Sequence, residues 1–473
     1  MAGLYYKKVR RLPVMRGGKM WRGGDLTAEK FPRGYFVARG YFFCYFGGMR
    51  IAIIADPVDE QNAGIHYYTK YLIENLLKID RGNEYVLIHC RKNPIFGKWI
   101  AERKMRTDAG TFEVVIPSMR RLFGGATLRK FALLSFVFLK YKPDIVFEPA
   151  HIGPFSFLWK CKKVVAIQDL TPILFPQHHI FISRFIHKHL LPRIFKNADG
   201  VITPSESTKR DIERLYGREL ERGKKSRLPA RWGEQGEMMP ERKDGGRAGM
   251  ALADGGRSKI PIKVIPDAAA EFFKPADTQK IAVVRAKFQI TKPYILSVGT
   301  LEPRKNLEKL AEVFQEMRRE GQDIQWVVVG EKGWFYDELM RKLSGGAAER
   351  GGNLEENIIL TGYVANEELA ALYSGALCLV YPSLYEGFGL PVLEAMACFC
   401  PVICSNNSSL PEVCGDSAIM IDPLCKEALK TALRSILTSE KIRASLREKG
   451  ILQAAKFSWK KCARETLTFF EQL

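Results

Sequence analysis

Short runs of branched, apolar residues recur along this chain, separated by longer segments whose apolar residues repeat every three to four positions. The first clear run, MRIAIIAD (49–56), is apolar at successive positions, not at alternate ones. That is the pattern of a short strand buried on both faces, as in a parallel sheet. Comparable runs follow at 85–90, 112–117, 144–149, 163–169, 200–205 and 262–267. Between them, helical spacing predicts helices over 65–77, 128–140, 180–195 and 206–216. A second series of strands begins at 293–300 and continues through 324–330, 357–363, 376–383, 401–406 and 418–423, with helices between and after them.

Regular strand–helix alternation argues for α/β architecture with parallel sheets covered by helices. Two such series predict two Rossmann-like domains facing each other across a cleft. The boundary falls within 268–292, giving an N-terminal domain over 49–275 and a C-terminal domain over 276–456. A last helix, 457–473, is expected to pack back on the N-terminal domain. Open sheets of this kind take ligands beyond the carboxyl ends of their strands, so the chemistry is sought there.

Two stretches break the pattern. Residues 1–48 mix Gly, Arg and aromatics without a helical or strand period, and 218–258 is polar and Gly-rich. The first is expected to be an irregular basic extension ahead of a working start at Met49, with a membrane-touching arm as the rival reading. The second reads as a flexible insertion, since lengthening a loop costs little entropy. These stretches alter the meaning of the net charge of +21. They carry +8 and +3 of it, so the remainder is only moderately basic, and no basic stripe interleaved with aromatics marks a nucleic-acid partner. No apolar run approaches the roughly 18–20 residues of a spanning helix. Two mixed basic and apolar segments, 119–140 and 180–196, suit contact with a membrane surface, or else are core helices with solvated basic faces. Cys398, Cys400 and Cys404 cluster without a spacing that completes a zinc site, so no metal is expected there.

Candidate chemistry gathers after the strands. Gly64 lies where a helix opens after the first strand, a natural place for an anion or for a simple turn. In VGTLEPRKN, Gly299 ends a strand, and Arg304 and Lys305 stand before an amphipathic helix whose dipole two cations oppose. Reaching a polyphosphate would explain them, as would plain solvation. In YEGFGLPVLEAMA, Glu386 sits in a loop before Gly387, Phe388 and Gly389, and Glu394 lies in the first turn after Pro391. A pair of carboxylates beside free backbone N–H groups suits vicinal hydroxyls plus phosphate, the features of a nucleotide sugar. No G-x-G-x-x-G, Walker lysine motif or D-x-D occurs.

The Glu386–Glu394 spacing, with VGTLEPRKN, IILTGYV, ADGVITPSEST and SLPEVCGDSAIMIDP in order, resembles retaining glycosyltransferases of family 4, which have the GT-B fold. The likeness runs from about residue 49 to the end, outside the insertion, and is similar to bacterial mannosyltransferases of surface polysaccharide assembly. It implies that Glu386 contacts the transferred sugar and Glu394 the ribose. The amides of Gly387, Phe388, Gly389 and Leu390 would hold sugar and phosphate. Arg304 and Lys305 would neutralise the leaving diphosphate beside Gly299, Gly64 would approach it from the other domain, and Asp169 would stand on the acceptor side. Two departures are Thr300, where many members carry Arg, and Gln168, where many carry His. The implied activity moves a hexose from a nucleotide-diphosphate sugar to a glycan or lipid-linked glycan, with no cofactor and no metal. The implied place is the cytoplasm, peripherally on the inner membrane face. A GT-B protein of other use, an epimerase or a non-catalytic subunit, is the alternative.

Neither 1–48 nor 218–258 shows the period of a packed element. A variant starting at Met49, with the insertion cut to a Gly/Ser linker, should keep a single cooperative unfolding transition in denaturant. Loss of that transition overturns the assignment.

Overall fold

The computed structural model describes residues 35–38, 41–44, 48–60, 63–118, 133–150, 160–178, 181–217, 220, 259–333 and 357–473. The chain forms two compact units, Met1–Gly47 and Gly48–Leu473. In the first, Tyr35–Ala38 and Tyr41–Cys44 form an antiparallel hairpin with Ala38 opposite Tyr41. This corrects the expectation that 1–48 is irregular throughout. YFVA and YFFC consist largely of aromatic and branched strand formers, and only Arg39-Gly40 separates them.

The second unit holds two parallel sheets. The first has seven strands, in spatial order Thr111–Val115, Glu84–His89, Arg50–Ile54, Ile145–Glu148, Lys162–Ala166, Gly200–Thr203 and Ile262–Val264. The second has six, in order Ile358–Gly362, Gln325–Val329, Tyr294–Val298, Cys378–Tyr381, Val402–Ser405 and Ile419–Ile421. In both, the strand order reverses between the first and fourth strands of the sheet. That reversal opens a crevice at the carboxyl edge, where ligands of doubly wound sheets bind.

The apolar runs form strands because each sheet is covered on both faces. Ile51 and Ile53 enter one core cluster, Ala52 and Ile54 the opposite one, and all four are at most 4% exposed. Likewise Ile295 packs on one side of the second sheet, and Tyr294 and Leu296 on the other. The Ala63–Ile79 helix covers the first sheet through Tyr68, Leu72 and Leu76. Beside it lies the last helix, Trp459–Glu471, which returns from the second sheet and buries Trp459, Cys462, Ala463, Phe469 and Phe470 in the same cluster. The Phe470 ring stands 5.4 Å from Phe147 of the first sheet.

Three sequence expectations meet the limits of the described residues. Of the predicted helix 128–140, Leu134–Tyr141 is helical, and 119–132 lies outside the described residues. Of the insertion 218–258, only Leu220 is described. It is buried, and its carbonyl accepts from Ile260 N–H at 3.0 Å, so the insertion begins after it. The helix Phe181–Asn197 buries Leu191, Ile194 and Phe195 in the core and leaves Lys188, Arg193 and Lys196 exposed. Those apolar side chains are therefore not available to a bilayer, although the charged face is. Among the described residues no helix is long and apolar enough to cross a membrane.

If the return helix is integral to the first core, Phe470→Ala should cost about 3–5 kcal/mol. Denaturant unfolding should show a lower midpoint with an unchanged slope.

Candidate functional site

After the first strand of the second sheet, the chain passes Gly299 and Thr300 and makes a single 3-10 turn, Pro303–Lys305. Asn306 follows with φ 56°, and its side-chain amide donates to the carbonyls of Pro382 (3.1 Å) and Pro423 (2.8 Å). Leu384 N–H donates to the Arg304 carbonyl at 2.9 Å. The bonds with Pro382 and Leu384 tie the turn to the loop after the fourth strand, and the one to Pro423 ties it to the segment after the sixth. The helix itself starts only at Leu307, with Glu308 in its first turn. Arg304 and Lys305 thus do not lie over the helix dipole, as their place in the sequence suggests. The turn swings them toward the neighbouring loop.

There they meet Glu386. Lys305 Nζ donates to Glu386 Oε1 and to the Tyr381 hydroxyl, both at 2.7 Å, and lies 4.7 Å from the Tyr381 ring centroid. Arg304 stands 2.9 Å from Glu386 Oε2, donates to the Tyr385 carbonyl at 2.6 Å, and donates twice to Glu302. All four charged side chains are nearly buried, at 9–13% exposed. Burial alone would raise the Glu386 pKa, but Arg304 and Lys305 outweigh it and hold the carboxyl down at about 2. Lys305 is shifted down, chiefly by burial, with Glu386 opposing. The group is a buried ion cluster in which each charge has a partner, the condition for keeping charges out of water.

Beside the cluster lies a cavity of about 500 Å³. The second domain lines it with Gly299, Thr300, Gly330, Tyr363, Leu390 and Glu394, and the first domain with Gly64, His66, Tyr67 and Lys70. Gly64 is exposed in the first turn of the Ala63–Ile79 helix, so its N–H end faces this space. Lys305 runs alongside Gly299, its Cε 3.1 Å from where a Cβ would stand, which joins the ion cluster to the cavity wall. Glu394 accepts from the Tyr373 hydroxyl at 2.9 Å. Burial raises its pKa to about 7, with that hydrogen bond opposing.

The structure thus separates the sequence-derived candidates into neighbouring sets. Gly64, Gly299, Leu390 and Glu394 line the cavity. Arg304, Lys305 and Glu386 form the cluster next to it. Asp169 accepts from the backbone and hydroxyl of Thr171 (3.0 and 2.7 Å), and its charge acts on Arg304 across the domain seam. Two residues take settings on which the sequence reading was silent. Phe388 turns its ring into the core against Phe457 (5.9 Å), so only its backbone is available to a ligand. Gly387 abuts the first domain: a Cβ there would stand 2.0 Å from the Gln168 carbonyl oxygen. Gly389, at φ 104°, supplies the left-handed residue ahead of the helix Leu390–Ala397.

Residues not singled out in the sequence also belong here. Glu302 anchors Arg304, and nothing in its local pattern distinguishes it from a surface acid. Tyr67 and Lys70 follow Gly64 at successive steps of three on one helix face, a spacing that could have pointed to them.

The Glu394 carboxyl holds its proton more tightly in the folded protein than in the unfolded chain, where its ordinary value is 4.5. Its contribution to stability is therefore full below pH 4.5 and lost as pH rises through about 7. Glu394→Gln should match the parent's unfolding free energy near pH 4.5 and exceed it by about 3 kcal/mol at pH 8. Equal differences at both pH values overturn the assignment.

Comparison with known proteins identifies the architecture. A family model described as glycosyl transferases group 1 matches residues 281–453, and one described as glycosyltransferase family 4 matches residues 63–224. The O-antigen chain mannosyltransferase B of Escherichia coli is 37% identical over 208 residues, 44% of this chain and 53% of that protein. The serotype-specific mannosyltransferase WbdA of Escherichia coli is 34% identical over 211 residues, 44% of this chain and 26% of that protein. The chain thus spans about half or less of these relatives. Among solved structures, sucrose-phosphate synthase from Thermosynechococcus elongatus superposes with a TM-score of 0.64 at 19% identity, over 90% of this chain and 98% of that one. Anabaena HepE in complex with UDP-glucose gives 0.62 at 14% identity, over 90% of this chain and all of that one. One glycosyltransferase family model thus falls on each of the two Rossmann-like domains, family 4 on the first and group 1 on the second, and the solved neighbours share the GT-B architecture.

Proposed function

We propose that this protein is a retaining hexosyltransferase. It takes a hexose, with mannose the leading candidate, from a nucleotide-diphosphate sugar and passes it to a glycan or lipid-linked glycan of a cell-surface polysaccharide. One observation carries the reading: a cavity lined by both domains has Gly299 in its wall, and behind that glycine runs Lys305 of the Arg304–Lys305–Glu386 cluster. The matched relatives named as mannosyltransferases support the choice of sugar. The neighbour solved with UDP-glucose supports the class of donor.

In this reading the nucleoside occupies the side of the cavity lined by Tyr363 and Glu394, whose carboxylate accepts from the ribose hydroxyls. The diphosphate lies toward Gly299, Gly64 and the amides that follow Glu386. Arg304 and Lys305 are nearly buried, so their charge is weakly screened and acts strongly on a leaving phosphate. They supply the positive charge in the reaction, and no cofactor or metal is assigned to it. As the sugar–phosphate bond breaks, the acceptor hydroxyl bonds to the anomeric carbon from the same face, and its proton passes to the departing diphosphate. Glu386 contacts the sugar while that charge develops, and Asp169 stands on the acceptor side. The protein would work on the cytoplasmic side, and the exposed Lys188, Arg193 and Lys196 would meet an anionic membrane surface by charge alone.

The two glutamates should fail differently. A hydrogen bond to a charged group is worth roughly 1.5–3 kcal/mol. Glu394→Ala removes a contact that ground and transition states share, so donor KM should rise about tenfold or more with little change in kcat. Glu386→Ala should lower kcat most. The assay offers a panel of nucleotide sugars with glycan acceptors and reads the product's anomeric configuration by NMR. Turnover to an epimerised sugar, or no turnover with any donor, sinks the proposal.

A further inference from the structure

The glutamate at the centre of the site is held from the other domain through a chain of contacts. Ser205 caps the helix Glu206–Tyr216: its Oγ accepts from Thr208 N–H at 3.1 Å, and the same hydroxyl donates to the Gly387 carbonyl at 2.7 Å. The first two amides of that helix, Glu206 N–H and Ser207 N–H, both donate to the Glu412 carboxylate at 2.7 Å. Arg210 lies 3.5 Å from the same carboxylate. Glu412 thus places a negative charge where the helix dipole favours one. Tyr385 completes the seam by donating its hydroxyl to Asp211 at 2.6 Å.

Glu412 belongs to the short helix Leu410–Cys414, and the residues just before that helix grip Glu386. Glu386 N–H donates to Ser408 Oγ at 3.0 Å, and Ser409 Oγ donates to the carbonyls of Glu386 (3.0 Å) and Phe388 (2.8 Å). Both backbone polar groups of Glu386 are therefore bonded to the segment that Glu412 pins to the first domain. Directly after it, Gly387 rests on Gln168 and Ser205. The same seam brings the charge of Asp169 to bear on Arg304.

We infer that Glu412 and Ser205 are positioning residues, which use closure of the two domains to set Glu386 in its working place. This rests on the transferase reading above. The seam joins donor-side and acceptor-side groups into one arrangement, so loosening it should slow the chemical step more than it weakens donor binding.

Two variants separate this from plain support of the fold. Ser205→Asp keeps an acceptor for Thr208 N–H but loses the donor to Gly387. Glu412→Gln keeps the shape and loses the charge. Both should lower kcat about tenfold or more, leave donor KM within about threefold, and leave the protein fully folded at the assay temperature. Ser205→Thr, which retains a hydroxyl, should recover most of the rate lost in Ser205→Asp. Hydrogen exchange of the 384–389 segment should be faster in Glu412→Gln than in the parent. Unchanged or raised kcat in both variants overturns the inference, as does a rate loss that merely follows a falling unfolding midpoint. If the parent transfers no sugar, the transferase reading fails by itself. The exchange measurement then decides alone, and equal exchange in parent and variant overturns the inference.

Discussion

Glu386 is an ionised carboxylate almost out of water, and the arrangement around it follows from the need to keep that charge compensated. Lys305 and Arg304 flank it, Tyr381 shares the lysine, and Glu302 takes the remaining face of the arginine. Removing one member of such a group leaves another buried and unpaired, which costs far more than the net worth of any one pair. The backbone shows the same requirement. The 3-10 turn, the left-handed Asn306 and its bond to the Pro382 carbonyl all keep the cations against the loop that carries Glu386.

That requirement also bears on the proposed chemistry. In this structure Arg304 and Lys305 are already engaged by carboxylates, so an arriving diphosphate would join an existing network and not find two waiting cations. The cations would then serve as fixed, preorganised charge, with little reorganisation left for the moment of reaction. Preorganisation of this kind needs rigid supports. Here they are the carboxyl ends of two adjacent strands, Tyr294–Val298 and Cys378–Tyr381, at the point where the strand order of the sheet reverses.

The architecture was legible before the structure because burial on both faces of a sheet forces uninterrupted apolar runs, and helices over such sheets need one apolar stripe. Both are one-dimensional patterns. The runs at 49–56 and 293–300 therefore marked the first strands of two sheets without knowledge of any contact. The site was legible to the extent that doubly wound sheets place ligands at strand ends: Gly299, Arg304, Lys305, Glu386 and Glu394 all follow strands. The hairpin at Tyr35–Ala38 and Tyr41–Cys44 was missed because its two aromatic runs stand among glycines and arginines, outside the strand–helix alternation by which the other short strands were found.

What the sequence by itself determined is therefore the strands of the two sheets, their parallel arrangement in two domains, and the loops that carry the chemistry. Each of these depends on local pattern and on the geometry of a single sheet. Only the tertiary structure decided which partner each loop residue takes. It turned Phe388 into the core, made Gly387 a docking point for the first domain, set Glu302 on Arg304, and seated Glu412 on a helix of the other domain. Ser205 and Gly387 are 182 residues apart, and Glu206 and Glu412 are 206. No spacing within either segment encodes such a meeting. It exists only once two independently patterned domains are packed edge to edge, where a few hydrogen bonds and one missing Cβ determine how closely they can approach.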